Sequence, residues 1–280
     1  MVDFSKVLVT GVEGMAGSYV HFGIRPPERE LDVTNREAVF AHFERYRPTH
    51  VLHLAAETDL EVCERDRERA YQTNALGTYY VVLACRHYDT KMVYVSTAGV
   101  FDGGKGEPYA EDDPAHPKNV YGTTKLLGEM FVRDLLPNHL IARACWMFGG
   151  GPSRDKKFVA KIIRQLPQPE IKAVNDKFGS PTFEKDLIAK IRELMATDAS
   201  GTFHLVNEGS VSRFDIAAAI VEILGAPTRI TPVGSDYFDK NLTRADSEVL
   251  ASKIGFMRPW REALREYLAT EWKNAPPTTL

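Results

Sequence analysis

The order of apolar runs predicts an α/β protein: a doubly wound parallel sheet, Rossmann-like, with a smaller C-terminal α/β lobe. Three observations carry this. Short β-branched runs alternate with helical patterns over the first 150 residues, as right-handed βαβ units require. Those runs are continuously apolar rather than alternating, as strands covered on both faces are. The first of them opens directly into a glycine-rich turn, "TGVEGMAG" (10–17).

In chain order, "KVLVTG" (6–11) reads as the first strand, and "NREAVFAHFERYR" (35–47) as a helix. "THVLHLAA" (49–56) is a second strand, and 67–88 a long helix. "KMVYVSTAGVF" (91–101), "VYGTTKLLGEMFVRDL" (120–135) and "LIARACWMFG" (140–149) then give strand, helix and strand. After Gly149 the texture changes: "GGGPSRDKKF" (149–158) reads as a loop, and the tail from about Gly225 is mixed and broken by prolines. "GTFHLVN" (201–207) looks like one more strand. The expected division is a dinucleotide-binding domain over 1–148, with the chain returning at about 179–207, and a substrate-binding lobe from 149–178 and 208–280.

The 280 residues carry a formal net charge of -3, so no broad basic field exists to attract nucleic acid or an anionic membrane. Cys63, Cys85 and Cys145 are scattered without a CxxC pair, and the eight histidines show neither HxxxH nor HxH, so reduced thiols and no metal site are expected. No stretch approaches ~18 consecutive apolar residues, so neither an export signal nor a membrane span is read, and the expected location is the cytoplasm.

Gly11, Gly14 and Gly17 form a GxxGxxG pattern after the first strand. A tight turn there presents backbone N–H groups at a helix N-terminus to a pyrophosphate, and the last glycine lets helix and strand approach. The acid that usually follows ~20 residues later, on a second strand, has no clean counterpart. Residues 18–35 are compressed and broken by Gly23, Pro26 and Pro27. Asp32 with Val33 is the candidate for the adenosine pocket, though Asp32 capping a turn fits equally. Arg25 or Arg29 would meet a 2′-phosphate, so the cofactor is NADPH or NADH.

"NVYGTTKLLGE" (119–129) holds Tyr121 and Lys125 four residues apart, which stacks them on one helix face. A free tyrosine has a pKa of ~10, and a neighbouring ammonium stabilises the phenolate and pulls that value towards neutrality. A chance pair on an amphipathic surface helix has the same spacing. Its place on the helix after the third strand favours chemistry.

With the glycine turn, "HLAAETD", "TNALGT", "VSTAGVF" and "YGTTK" in this order, the chain resembles the extended short-chain dehydrogenase/reductase family over essentially its whole length. "ELDVTNREAV", "STAGVFDG", the tryptophan of "RACWMFGGG" and "NDKFGSPTF" make it most similar to the branch that reduces dTDP-4-dehydrorhamnose. The resemblance implies NAD(P)H-dependent reduction of a nucleotide-activated 4-keto-6-deoxy sugar. Tyr121 and Lys125 would be the catalytic pair, with Lys125 also on the nicotinamide ribose. Thr97 would complete the triad as a donor to the ketone oxygen. Glu13, Gly14 and Met15 would lie over the pyrophosphate, Ala55 and Ala56 would line the cofactor cleft, and Asn74 would back it. Thr97, Ala98, Trp146 and Arg244 would face the substrate. The implied partner is a nucleotide sugar, with a homodimer left open.

Three departures stand out. Ala98-Gly99 replaces the Asp-Tyr that usually follows this threonine, so a polar substrate contact is missing or supplied elsewhere. The usual Arg-Pro near the C-terminus is replaced by "NLTRADS" (241–247), with Arg244 shifted by one. Segment 18–31 is short. The alternatives are an NAD-dependent sugar-nucleotide epimerase, and a non-catalytic regulatory subunit resembling that of methionine adenosyltransferase.

Overall fold

Residues 2–238 and 243–273 are described by the structure, a computed structural model. Five parallel strands form the central sheet in the order β1 (Val7–Thr10), β2 (His50–His53), β3 (Lys91–Thr97), β4 (His139–Ala144) and β5 (Gly201–His204). The α-helices of eight residues or more among the described residues are α1 (Arg36–Tyr46), α2 (Thr78–His87), α3 (Val120–Leu135), α4 (Phe158–Gln165), α5 (Glu184–Ala196), α6 (Arg213–Leu224) and α7 (Trp260–Glu271). Among the described residues no helix is long and apolar enough to cross a membrane.

Both faces of the sheet are covered, which is why its strands read as unbroken apolar runs. On one face Leu8, Val51 and Tyr94 pack with Val39 and Phe43 of α1, Val81 of α2 and Val132 of α3. On the other, Val7, Val9, Leu52 and Leu140 pack with Leu187, Ile188 and Ile191 of α5. A separate core joins Val159 and Ile163 of α4, Ile216 and Ile220 of α6, and Leu264 and Leu268 of α7.

Four features differ from the sequence reading. The helix expected after the glycine turn is only a 3-10 turn, Ala16–Tyr19; the segment in which no clean second strand was read makes a single bridge, Ile24 beside Leu8. The Ile24 amide donates to Val7 O (2.8 Å) and its carbonyl accepts from Val9 N (2.9 Å). Too few residues separate Gly17 from Pro26 to build both elements. The helix over 67–88 is really Arg67–Ala70, a π-helical turn Tyr71–Gly77, and α2. The strand over 91–101 stops at Thr97, whose side chain accepts the Gly99 amide (3.0 Å) and turns the chain into 3-10 geometry. Helices α4, α6 and α7, which build most of the smaller lobe, and α5, which covers the second face of the sheet, were not anticipated.

Helix α3 docks unusually close to β3. Asn119 caps it by accepting the Gly122 amide (2.8 Å). A Cβ on Gly122 would stand 2.1 Å from the Gly99 carbonyl oxygen, and one on Gly128 would stand 2.3 Å from the Tyr94 hydroxyl. The Gly122 contact is to backbone, which cannot rotate away. Gly122→Ala is therefore expected to cost about 1–3 kcal/mol of stability through overpacking. Urea denaturation checks this, and an unchanged midpoint would mean the helix is not seated as described.

Candidate active site

The C-terminal ends of β1, β2 and β3 meet the glycine turn and the first turns of α3. Gly11 adopts φ +69, and a Cβ there would lie 2.6 Å from the Ala55 nitrogen. A Cβ on Gly17 would lie 2.5 Å from the carbonyl oxygens of Gly11 and Val12. Gly14 is less confined, with its nearest neighbour at 3.3 Å, and its amide closes the turn on Gly11 O (3.2 Å). Among the described residues, the amides of Val12, Glu13 and Met15 make no hydrogen bond. A side-chain-free cradle with unpaired amides fits the pyrophosphate of a dinucleotide. The 3-10 turn behind it supplies less dipole than a full helix would.

Ala55 stands half-exposed beside Gly11, and Ala56, next along the chain, is half-exposed as well. The Glu13 carboxylate turns away to accept the Glu28 amide (3.0 Å), leaving only its backbone to the turn. Asp32 takes the turn role: it is exposed, and one carboxylate oxygen accepts both the amide (2.9 Å) and the hydroxyl (2.8 Å) of Thr34. Val33 is core, buried against Gly77. Arg25 donates to Val20 O (2.6 Å), and exposed Arg29 lies 3.8 Å from Glu30.

Asn74 corrects its expected role. It is fully buried in the π-helical turn, where its oxygen accepts the Glu57 amide (2.7 Å) and its nitrogen donates to Glu57 O (2.9 Å) and Thr124 Oγ1 (3.0 Å). Both amide hydrogens are thus committed. It is a positioning residue that ties the loop after β2 to α3.

Thr97 and Tyr121 lie side by side, close enough for the threonine hydroxyl to act on the phenol, and Tyr121 as a whole is half-buried. Burial pushes the Tyr121 phenol above its ordinary value, Cys63 and Glu248 add to the rise, and the Thr97 hydrogen bond opposes it. Lys125 is buried, its ammonium 4.1 Å from the centre of the Tyr94 ring. Burial pulls its pKa down to about 7, with the Glu129 charge pulling the other way. Among the described residues no hydrogen bond joins Lys125 to Tyr121, so the expected depression of the phenol by a touching ammonium is not present in the protein by itself. The amine faces an aromatic ring, and desolvation outweighs charge.

On the substrate side, Trp146 is half-exposed and holds φ +37, a left-handed conformation rare for a bulky residue. Three contacts fix its ring. A Cβ on Gly179 would lie 2.4 Å from it, so only glycine fits behind. The Arg213 guanidinium stacks 3.7 Å from the ring centre, and the indole N–H donates to Glu248 Oε2 (2.6 Å). Arg213 and Glu248 escaped the sequence reading. Arg213 opens α6 directly after the two-residue strand Val211–Ser212, and Glu248 lies on the two-residue strand Ser247–Glu248; both strands pair with Phe178–Gly179 and are too short to leave a pattern. Ala98 is another correction: its methyl is buried with Val100, Phe101 and Cys145 and cannot face a substrate. Arg244 is exposed and close enough to Arg213 to lower its pKa, on a segment whose Thr243 O accepts from Asn119 Nδ2 (3.2 Å). Asn241 and Leu242 of the same stretch lie outside the described residues.

A doubly wound sheet with a glycine cradle, and a Thr-Tyr-Lys set on the next strand and helix, defines an extended short-chain dehydrogenase/reductase. The chain belongs to the family described as RmlD substrate binding domain, which matches residues 5–272. It is 33% identical to the spore coat polysaccharide biosynthesis protein SpsK of Bacillus subtilis (strain 168), over 94% of this chain and 97% of that one. It is also similar to the crystal structure of a dTDP-4-dehydrorhamnose reductase from Clostridium acetobutylicum, with TM-score 0.90 and 32% identity over 94% of this chain and 98% of that one. A dTDP-4-dehydrorhamnose reductase from Bacillus anthracis in complex with NADP gives TM-score 0.88 and 31% identity, over 94% and 98%.

Asn74→Ala is expected to leave the Glu57 amide and carbonyl and the Thr124 hydroxyl short of partners. Such losses cost about 1–3 kcal/mol of stability, read by denaturant titration, and a neutral result would contradict the clamp.

Proposed function

We propose that this protein is an NAD(P)H-dependent reductase of a nucleotide-activated 4-keto-6-deoxy sugar, converting dTDP-4-dehydrorhamnose to dTDP-L-rhamnose in the cytoplasm. The observation that carries it is the tight seating of α3 on the turn after Thr97, which brings Tyr121 beside Thr97 next to the glycine cradle, with Trp146 held across the cleft. The solved relatives named as dTDP-4-dehydrorhamnose reductases, one of them holding NADP, support the same reading.

The bound nicotinamide supplies the hydride. What the chain must supply is a proton and a place for developing negative charge. Tyr121 is placed to give that proton: the phenol is protonated in the free protein because burial raises its pKa, and a charged Lys125 would have to lower that pKa towards working pH for the proton to leave readily. Thr97 is placed to donate a second hydrogen bond to the same oxygen. The Lys125 ammonium, one turn along α3, stabilises the phenolate left behind and holds ribose hydroxyls. Near neutrality that ammonium is half-populated in the free protein, so binding a partner that needs the charge also draws in a proton.

Two results test this. Tyr121→Phe is expected to cut turnover by a factor on the order of 100 or more, the worth of a general acid, with NADPH still bound. Near-wild-type turnover in that variant would falsify the assignment. An epimerase would instead retain NAD tightly and consume no added NADPH.

The second concerns pH. Lys125 is charged below its pKa of about 7 in the free protein and neutral above it. NADPH affinity is therefore expected to weaken as pH rises through about 7, and the Lys125→Met variant is expected to bind weakly with no such break. Fluorescence titration with NADPH across neutral pH checks it, and a flat wild-type profile removes Lys125 from cofactor binding.

A further inference from the structure

We propose that Glu248 is the residue that accepts a sugar hydroxyl beside the reacting carbonyl, replacing the contact that the Ala98-Gly99 turn cannot make, so that Gly99 and Glu248 together set which sugar is accepted. The inference rests on the reductase reading and adds a specificity-determining contact to it.

The argument begins with the turn. Ala98 spends its side chain in the core, and Gly99 has none, so the two residues after the catalytic threonine offer the cleft no polar group. A Cβ built on Gly99 would stand 3.4 Å from Thr97 Oγ1 and 3.6 Å from Glu248 Oε1. The room that a side chain at position 99 would enter thus lies between the threonine hydroxyl and the Glu248 carboxylate. A group from the far end of the chain reaches the place that a neighbouring residue leaves open.

Glu248 is held there rather than swinging free. Its carbonyl accepts the Cys145 thiol (3.1 Å), its backbone pairs with Phe178–Gly179, and its Oε2 accepts the Trp146 indole (2.6 Å). Oε1 has no hydrogen-bond partner among the described residues, and Glu248 is partly exposed. A fixed carboxylate with one oxygen committed and the other open is an acceptor waiting for a donor. The sugar ring offers hydroxyl donors, whereas the diphosphate is anionic and would be repelled here. Arg213, stacked on the same tryptophan, and Arg244 near it offer cations instead. The Glu248 charge is also felt at Tyr121, which places it within electrostatic reach of the reacting centre.

The test uses the full chain with NADPH and dTDP-4-dehydrorhamnose. Glu248→Gln keeps an oxygen for the Trp146 indole but removes the charge. The expected result is a KM for the keto-sugar nucleotide raised about tenfold or more, in line with losing a hydrogen bond to a charged group, with NADPH affinity within about twofold of wild type. A second variant, Gly99→Ser in the Glu248→Ala background, is expected to recover part of the loss by offering an oxygen from position 99. An unchanged KM in Glu248→Gln overturns the proposal. So does an equal loss of NADPH affinity and thermal stability, which would mark Glu248 as a structural prop for Trp146. If the wild-type protein turns over no keto-sugar nucleotide, the reductase reading fails. Glu248 is then judged by tryptophan-fluorescence titration with dTDP-glucose: weaker binding by Glu248→Gln supports the hydroxyl contact, and equal binding removes it.

Discussion

The backbone contact between Gly122 and the Gly99 carbonyl sets the distance across which this site operates. Gly99 is two residues past Thr97, and Gly122 is the residue after Tyr121, so pressing these two points together brings hydroxyl and phenol side by side. Gly128 repeats the close approach two turns further on, against Tyr94. Between them, Lys125 has nowhere to go except over the Tyr94 ring. One turn beyond, Glu129 is gripped in two-pronged fashion by Arg143 of β4, at 2.9 and 2.7 Å, with both residues buried. Removing one partner of such a buried pair costs roughly 3–5 kcal/mol. An exposed pair such as Arg47–Glu44 is worth about 0–1 kcal/mol. The Arg143–Glu129 pair is therefore the ionic contact that holds α3 in register.

A chain of buried polar groups connects this helix to the glycine turn. Thr10, at the end of β1, accepts the amides of Leu54 and Ala55 and bonds His53 Nδ1 (2.8 Å). His53 Nε2 meets the Thr78 hydroxyl (3.1 Å), which donates to Asn74 O (2.7 Å), and Asn74 reaches Thr124 on α3. Because Thr78 gives its proton to Asn74, His53 carries its own on Nε2 and accepts from Thr10 at Nδ1. Burial pulls the His53 pKa down to about 3, so the ring stays neutral and the direction of the chain is fixed at any working pH. The network has every member satisfied, which is the condition under which buried polarity rigidifies a site rather than weakening it.

The substrate side follows a different logic. No long element carries it. Three two-residue strands bring Gly179, Glu248 and, at the start of α6, Arg213 around Trp146, and the tryptophan accepts a left-handed backbone to lie among them. Such strain persists only where the surroundings over-determine it. The glycine turn, Thr97 and Tyr121 thus sit at the ends of regular strands and on α3, while the surroundings of Trp146 are short, irregular pieces.

The sequence by itself determined the βαβ order, the glycine turn, and the Tyr121–Lys125 spacing. These are local: β-branched runs, glycines at fixed offsets and a four-residue repeat depend on neighbours along the chain. The tertiary structure alone decided what the side chains do once folded. It gave Asn74 and Val33 to the interior, Asp32 to a turn and Ala98 to the core. It also turned Lys125 to an aromatic face and brought Arg213 and Glu248 to a site far from them in sequence. The reason is physical: hydrogen-bond partners and desolvation arise from contacts between distant segments, and no periodicity in the chain records them.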